Sequence, residues 1–195
     1  VEHNAAPVLV WENNDSNVVA YDVYQGAVKL SSSPIAALEY QDLNYSGQSR
    51  LTYAVVARDS SGQESPPRTV DVYPVTLTAQ ANLDSQGVAR PLLANYFSLF
   101  TIDVHNREAS EAWLLDSLGL RMSVNAEDGF IDTLPLNQVV QPDTHFEHVA
   151  TIPIGNTVAD HLLHMVATQT DSAGNRVHYQ RSVLFNDVRL SEEMI

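Results

Sequence analysis

The sequence predicts an all-β protein composed of two tandem β-sandwich domains. A hairpin-like segment occurs twice, at residues 54–64 and 166–176: in each copy a β-prone run leads into Asp-Ser-x-Gly-Gln/Asn, and a second β-prone run follows. This order is typical of two strands joined by a tight turn. Short runs rich in Val, Tyr and Leu also recur between turn residues, and residues 52–58 alternate so that one face turns inward, as a sandwich strand requires.

Strands of the first unit are expected wherever a β-prone run lies between two turn-rich segments. The turn-rich segments are residues 13–17, 31–34 and 60–67, where Asn, Asp, Ser, Gly and Pro predominate. The predicted strands between them are 8–11, 18–24, 27–30, 37–40, 51–58 and 69–73. Six or seven short strands of this kind predict a β-sandwich.

Four spaced motifs of this unit resemble a bacterial fibronectin type III domain. They are Val-Leu-Val-Trp at 8–11, Ala-Tyr-Asp-Val-Tyr-Gln-Gly at 20–26, Tyr-Gln-Asp-Leu at 40–43 and Tyr-Ala-Val-Val-Ala-Arg-Asp-Ser-Ser-Gly-Gln-Glu-Ser at 53–65. The resemblance covers about residues 7–74 and implies that Trp11 packs in the core, whereas Leu43 and Tyr53 belong to a tyrosine corner. Few residues precede the strand that carries Trp11, so the first strand of the family is missing or truncated. We therefore expect this chain to be a piece of a longer protein.

The second unit is predicted to begin without a linker. Residues 69–73 run through Pro74 into residues 75–80, where Val, Leu and Ala alternate with Thr and Gln. This pattern predicts a rigid or semi-rigid junction between a fibronectin type III-like domain at residues 1–74 and an immunoglobulin-like domain at residues 75–195.

Most of the second unit reads as strands. The clearest one is 96–104, where Tyr96, Ser98, Phe100, Ile102 and Val104 share a face; the others are 120–124, 136–140, 145–152, 161–170 and 177–188. Residues 107–118 are ambiguous, because acidic and apolar residues interleave there. The helical interpretation is one or two turns that start at residues 110–113 and end at Gly119, in a segment whose length suits a surface crossover between sheets. Residues 161–175 resemble the closing hairpin of immunoglobulin-like repeats in large bacterial surface proteins.

Composition excludes several functional classes. The formal net charge is −14, with one lysine in the whole chain, and such a surface repels phosphates and anionic lipids. We therefore expect neither a nucleic-acid partner nor membrane insertion. The chain of 195 residues contains no cysteine, which excludes disulfides, thiolate zinc sites and a Cys nucleophile. The N-terminus has neither the basic nor the apolar part of a signal peptide, so the chain is either cytosolic or cut from an exported protein; we expect the latter.

Metal binding by the histidines is not expected. His145 and His148, and likewise His161 and His164, stand three residues apart. On a strand that spacing sends the two side chains to opposite faces, so they do not converge on one ion. The seven histidines are therefore predicted to be scattered surface or edge residues.

Calcium is the more reasonable ion for an acidic exported module. The candidate oxygen ligands are Asp59 with Glu64, residues 125–128 with Asp132, and Asp171 with Asn175. None of these turns has the residue order of an EF-hand loop. We expect ordinary turn chemistry, in which Asp and Asn side chains bind the neighbouring backbone, and keep calcium as an alternative.

No constellation of catalytic residues is recognisable. There is no G-x-S-x-G nucleophile elbow and no phosphate-binding glycine loop. The paired carboxylates at residues 127–128 and 192–193 are adjacent in sequence, and we expect them to be solvated surface residues. The prediction is a protein that is not an enzyme, with no catalytic, cofactor-binding or metal-binding residue.

Aromatic side chains that the cores do not require could stack on sugar rings. In the fibronectin-like interpretation Trp11, Tyr21 and Tyr53 face inward, which leaves a second set as free candidates, namely Tyr24, Tyr45 and Trp113. Three rings are too few to identify a platform, and core packing is the favoured role. The triplets at residues 14–16 and 44–46 match the N-glycosylation pattern, which arises readily by chance.

These observations predict a non-catalytic tandem segment of a larger bacterial protein, extracellular or at the cell surface. Its role would be that of a spacer that also makes adhesive or protein-binding contacts, a prediction that depends partly on fold analogy. Its partners would be neighbouring domains of the same parent chain and a protein or glycan ligand at the loops. One alternative is an accessory, carbohydrate-binding or linker region of a polysaccharide-degrading enzyme. Another is an assembly subunit whose missing strand is supplied by another chain.

Overall fold

The computed structural model describes residues 5–81, 86, 90–94, 96–124, 131–186 and 188–189. The regular elements in this part of the chain are all β-strands, which confirms the predicted all-β class. The strands are β1 (Ala6–Val10), β2 (Val18–Gln25), β3 (Val28–Lys29), β4 (Glu39–Gln41), β5 (Leu51–Asp59), β6 (Arg68–Val72), β7 (Val75–Ala81), β8 (Leu92–Leu93), β9 (Phe97–Asn106), β10 (Trp113–Val124), β11 (Ile131–Val140), β12 (Thr144–Pro153), β13 (His161–Thr170), β14 (Arg176–Phe185) and β15 (Val188–Arg189).

The strands form four sheets. One sheet, β3-β2-β5-β6, lies within the first half of the chain, and another, β12-β9-β7, lies within the second. The third sheet is a two-stranded parallel pair, β15-β8. The fourth sheet has six strands in the order β11-β10-β13-β14-β1-β4 and contains strands of both halves.

The six-stranded sheet joins the two halves through β1 and β14. These strands pair antiparallel over five residues each, from Ala6 opposite Gln180 to Val10 opposite Arg176. The other edge of β1 pairs with β4. In sandwiches of the immunoglobulin type the second strand lies between the first strand and the fifth. The fibronectin-like interpretation makes β1 that second strand, and its neighbours in the sheet are β4 and β14. The place of the first strand is therefore occupied by β14, which belongs to the other half of the chain.

The core is continuous across the two halves. Leu9 on β1, Val72 on β6, Leu77 on β7 and Tyr179 on β14 belong to one hydrophobic cluster, and none of these residues is more than 2% exposed. The predicted boundary between residues 74 and 75 falls between β6 and β7, and buried side chains surround it on both sides. Apolar burial is the dominant stabilising contribution, so the two halves share their largest source of stability.

Strand β9 has the predicted buried face. Ser98, Phe100, Ile102 and Val104 are at most 2% exposed and alternate with outward residues. Tyr96 precedes the strand and is 40% exposed, so it does not share that face. The period of two residues therefore identified both the strand and its orientation.

The helical turns predicted to start at residues 110–113 and end at Gly119 were a wrong prediction. Residues 113–124 form β10, and Gly119 lies within that strand. A β-bulge between Leu115 and Ser117 explains the error. Because the bulge inserts one residue, the buried positions step from Leu115 to Leu118, a spacing of three that resembles a helix.

The duplicated segment forms the same turn in both copies. The Oδ1 atom of Asp59 accepts hydrogen bonds from the backbone N–H groups of residues 61 and 63, and that of Asp171 accepts from those of residues 173 and 175, at 2.8–2.9 Å. Gly62 and Gly174 take φ of 84° and 80°, in the left-handed region. The shared sequence thus encodes one local structure, the closing turn of β5 and of β13.

Replacing Gly62 or Gly174 with Ala should lower the free energy of unfolding by about 1 kcal/mol each, because a Cβ atom disfavours positive φ. A Cβ atom at either position would meet no heavy atom within 4 Å, so the cost is conformational only. Asn at either position is the control, since Asn tolerates this region better. Chemical denaturation should show near-equal losses for the two Ala variants; a large difference would mean that the turns are not equivalent.

The tyrosine corner differs from the one that the resemblance implies. The hydroxyl of Tyr53 is buried and donates to the Oδ2 atom of Asp42 at 2.6 Å. Asp42 in turn accepts from the N–H of Asn44 through Oδ1. Leu43 is 78% exposed, so its predicted place in the corner was wrong. The acidic neighbour, which binds the hydroxyl directly, takes over the anchoring role.

Candidate functional site

A cleft of about 740 Å³ opens between the two halves of the chain. Three segments line it: residues 11–15 after β1, residues 65–70 leading into β6, and residues 173–176 at the turn between β13 and β14. Strands β2 and β5 contribute Tyr21 and Val55. Small-molecule sites in proteins have volumes of about 300–1,000 Å³, so this junction cleft is of ligand-binding size.

Two aromatic side chains of the junction cleft contact each other. The rings of Trp11 and Tyr21 meet edge to face, with centroids 5.4 Å apart and an interplanar angle of 62°. The backbone holds both residues in place: Trp11 N donates to Leu38 O at 3.0 Å, and Tyr21 exchanges two hydrogen bonds with Ile35. Tyr21 is 5% exposed, and burial raises its pKa above the ordinary value. The phenol therefore stays protonated at neutral pH.

The polar atoms of these two rings have no hydrogen-bond partner among the residues that the structure describes. Both the indole Nε1 of Trp11 and the hydroxyl of Tyr21 are buried and unpaired. A buried polar group without a partner costs about 1–3 kcal/mol. Such groups are few in native proteins and mark places where a water molecule or a ligand completes the hydrogen bonds.

The rim of the junction cleft is electrically balanced. Among its lining residues, all of which the structure describes, the charged ones are Glu12, Asp15, Arg68 and Arg176, two acidic and two basic. All four are exposed. The formal charge of the chain as a whole is −14, so the cleft is less acidic than the average surface.

Asn175 connects the rim to both halves. Its Nδ2 atom donates to Thr69 O at 3.1 Å and to the Oδ2 atom of Asp171 at 2.8 Å. The first contact crosses from the closing turn of the second half to β6 of the first. The two walls therefore keep a fixed separation at this point.

A second groove lies on the outer face of β10, β13 and β14. His164 lines it, and its Nε2 lies 2.9 Å from the hydroxyl of Ser123, whereas its Nδ1 lies 2.7 Å from that of Ser182. Burial lowers the pKa of His164, and the nearby Arg121 lowers it further. The sequence interpretation found no histidine beside a serine, because these residues meet only through strand pairing.

This arrangement lacks two requirements of nucleophilic catalysis. Ser123 is 3% exposed, so a substrate has little access to its hydroxyl. The second nitrogen of His164 faces Ser182, whereas in a catalytic triad it faces a carboxylate. No acidic residue is among the described residues that line the groove. The geometry is that of a hydrogen-bonded surface ladder.

The paired histidines lie on opposite faces of their strands, as the spacing predicted. His145 is exposed, stacks on His105 with ring centroids 3.9 Å apart, and binds Asp103 at 2.9 Å. His161 is fully buried, so the prediction that the histidines are surface or edge residues was wrong for it. The other histidine of that pair, His164, lies in the groove described above. In the described part of the chain no three His, Asp or Glu side chains form a group that could hold a metal ion.

The calcium candidates are engaged in other contacts where the structure describes them. Asp59 accepts the backbone hydrogen bonds of its own turn, and the hydroxyl of Ser61 lowers its pKa, as do the neighbouring N–H groups. Glu64 pairs with Arg58 at 2.5 Å. Asp171 has the same role as Asp59 in the second turn. The candidate at residues 125–128 lies outside the described residues, so its partner Asp132 stays a prediction.

The predicted aromatic platform is not assembled. Trp113 is 3% exposed and packs against Tyr179 with ring centroids 5.7 Å apart, so its assignment as a free ring was wrong. Tyr45 is half-buried, and its hydroxyl donates to Ser49 O at 3.2 Å. Tyr24 does not line the junction cleft. The aromatic rings that do line it are those of Trp11 and Tyr21, both of which the fibronectin-like interpretation turned inward.

No model of a protein family matches this chain. No curated protein matches it either. Among solved structures, the chain is similar to a chitinase from Bacillus thuringiensis at 12% identity and a TM-score of 0.31, covering 80% of this chain and 25% of that one. The chain thus spans a quarter of the length of the chitinase.

Two further structures have comparable scores. The chain is similar to the chicken interferon gamma receptor alpha chain at 12% identity and a TM-score of 0.31, covering 95% and 96% of the two chains. It is similar to a DUF3823 family protein from Bacteroides ovatus at 11% identity and a TM-score of 0.36, covering 96% and 100%. Scores this low identify neither a family nor a function. The β-sandwich architecture itself is plain from the sheets described above.

Proposed function

We propose that this chain is a non-catalytic spacer module that holds neighbouring domains of one parent protein at a fixed distance and orientation. The observation that carries the proposal is the pairing of β1 with β14, which makes one six-stranded sheet of strands from both halves. Two units joined only by a flexible linker would rotate freely. Two units that share a sheet keep a fixed position relative to each other, so domains attached at the two ends are held at a set distance and orientation.

A buried hydrogen-bond chain supports the rigid junction. The hydroxyl of Tyr179 donates to the Oε1 atom of Gln169 at 2.6 Å and accepts from the N–H of Tyr73 at 2.9 Å. The Nε2 atom of Gln169 donates to Asp71 O at 2.9 Å. Burial raises the pKa of Tyr179 well above its ordinary value, so the hydroxyl keeps its proton. The bond to Tyr73 ties β14 to the segment that joins β6 to β7, and the bond to Asp71 ties β13 to β6. The bond between Tyr179 and Gln169 links these two contacts.

Further contacts surround this chain of bonds. Arg50 of the first half forms an ion pair with Glu111 of the second. Within the second half, the guanidinium of Arg181 on β14 donates to Leu77 O on β7. The N–H of Ala5 donates to Val75 O at 3.0 Å. Exposed ion pairs contribute little by themselves, so the buried bonds and the shared core dominate the rigidity.

The setting is part of the same proposal. We infer a bacterial cell-surface or secreted location, with flanking domains of the parent chain as the main partners, on the resemblance of residues 7–74 to fibronectin type III domains. Within the described residues there is no helix with the length and apolar character needed to cross a bilayer. The strand-addition alternative is less well supported, because β14 already occupies the edge of β1 that a donated strand would need.

Distance measurements between the two halves test the proposal. Because the chain has no cysteine, Ser33→Cys and Asn156→Cys provide two unique spin-labelling sites, one in each half, and both residues are exposed. Pulsed electron–electron double resonance should give one narrow distribution of distances between the two spin labels. A broad or multi-peaked distribution would show independent units and contradict the spacer function.

Tyr179→Phe should lower the free energy of unfolding by about 2–3 kcal/mol, because it leaves the N–H of Tyr73 and the Oε1 atom of Gln169 buried without their partner. The matched control is Tyr45→Phe, which removes a hydrogen bond internal to the first half. Urea denaturation measures both variants. Should Tyr179→Phe cost no more than the control, the buried chain of bonds is not what stiffens the junction.

A further inference from the structure

We propose that the junction cleft between residues 11–15, 65–70 and 173–176 binds an uncharged saccharide. This inference goes beyond the spacer function, and either one can fail without the other. It depends on three properties of the cleft: its unpaired polar atoms, its balanced charge and its paired strand edges.

The unpaired polar atoms define the ligand chemistry. The indole Nε1 of Trp11 can only donate, so it requires an acceptor, whereas the hydroxyl of Tyr21 can donate or accept. A sugar hydroxyl supplies both functions, and the apolar face of a sugar ring fits beside aromatic side chains. Both atoms are covered in this structure, so binding includes a displacement of the cleft wall. Residues 12–15 of that wall are exposed and lie outside the strands.

The charges of the rim favour an uncharged ligand. Glu12 and Asp15 balance Arg68 and Arg176, so neither an anion nor a cation finds a uniform complementary field. Planar carboxylates and guanidinium groups form paired hydrogen bonds, which suits adjacent hydroxyl groups. The amide of Asn175 holds the opposite wall in place through Thr69 O.

The strand edges disfavour an extended peptide as the occupant. Peptides that add to a sheet need an open edge, and both edges of β1 are paired, with β14 and with β4. The outer edge of β6 accepts side-chain hydrogen bonds from Asn175 and Gln169 at the carbonyls of residues 69 and 71. A ligand recognised through hydroxyl groups needs no such edge.

Titration with neutral oligosaccharides tests the inference. The probes are the β-1,4-linked oligomers of glucose, N-acetylglucosamine and mannose, added to the full chain and followed by tryptophan fluorescence and calorimetry. At least one probe should shift the tryptophan emission of the chain. Tyr21→Phe should weaken the binding of that probe about tenfold, which corresponds to one hydrogen bond of about 1.4 kcal/mol. Tyr24→Phe, on the same strand but outside the cleft, should leave binding unchanged.

The Tyr21→Phe variant also separates binding from folding. Because the Tyr21 hydroxyl is unpaired in the free protein, its removal should leave the thermal midpoint unchanged or raise it. A lower midpoint would show that this hydroxyl stabilises the free fold and would overturn the argument. So would the absence of a signal from all three oligosaccharides at millimolar concentration, or equal binding by wild type and Tyr21→Phe. If the protein bound members of an unstructured peptide library in preference to the sugars, the ligand of the junction cleft would be a peptide and the saccharide proposal would be wrong.

Discussion

Replacing Asp22 with Ala is expected to lower the free energy of unfolding by about 3 kcal/mol. Asp22 is fully buried, and its carboxylate binds Lys29 Nζ at 2.8 Å and Arg58 Nε at 2.5 Å. Without the carboxylate, Lys29 and Arg58 lose their shared buried partner, and Arg58 keeps only its ion pair with the exposed Glu64. Because their side chains are 35% and 28% exposed, water hydrates them in part, and the loss lies at the lower end of the range for broken buried pairs.

Glu64→Ala is the matched control for this substitution. Glu64 pairs with the same Arg58, but its side chain is 48% exposed. Exposed pairs contribute about 0–1 kcal/mol, so the control should change stability little. Urea denaturation at neutral pH measures both variants. Equal losses of unfolding free energy would show that the buried ion pairs of Asp22 contribute no more stability than the exposed pair of Glu64.

The pH dependence of stability provides a second test of Asp22. Burial raises the pKa of this carboxyl, but the hydrogen bonds and charges of Lys29 and Arg58 outweigh burial and hold the pKa below its ordinary value of 3.8. A carboxyl with a depressed folded-state pKa contributes stability that is full above the unfolded-state value and disappears as the pH falls through the folded-state value. The stability difference between wild type and Asp22→Asn should therefore be largest near neutral pH and shrink in acid below 3.8. A difference that grew on acidification would contradict the depressed pKa.

Local patterns predicted the local structure well. The Asp-Ser-x-Gly repeat identified both closing turns, because an Asp carboxylate that binds two following N–H groups and a glycine at positive φ specify that turn without help from distant residues. Alternation identified the inner face of β9 in the same way. It failed at β10, where the bulge after Leu115 shifted the register and imitated a helical spacing.

Long-range contacts were beyond sequence reasoning. Nothing local to β1 indicates that its partner is β14, because the two strands are far apart in sequence and become neighbours only in the folded chain. The junction cleft was missed for the same reason: Trp11 and Asn175 lie far apart in sequence and both line one cavity only in the folded chain. Trp113 was assigned to the surface, but the core at the junction buries it against Tyr179.

Separating the halves should have the largest effect of all. We expect a fragment of residues 1–74 to lack a cooperative thermal transition or to self-associate. In the intact chain β1 pairs with β14 along one whole edge, and Leu9 and Tyr73 are buried in a core that includes residues of the second half. The fragment would expose that apolar surface together with an unpaired strand edge, which is a template for pairing with other chains. Small β-sandwiches have little stability to spare for such a loss.

Circular dichroism and light scattering of the fragment measure this outcome, with the full chain as reference. A synthetic peptide of residues 174–187 is the informative addition, because it contains β14 (Arg176–Phe185) and can fill the edge of β1. The peptide should restore monomeric, cooperative folding, whereas the same peptide with Pro in place of His178 should not. His178 lies opposite Val8, where the backbone groups of β1 face β14, and proline removes the donor at that position. A fragment that is monomeric and as stable as the full chain would show that residues 1–74 complete their own sandwich, and the shared sheet would then be a docking contact between independent domains.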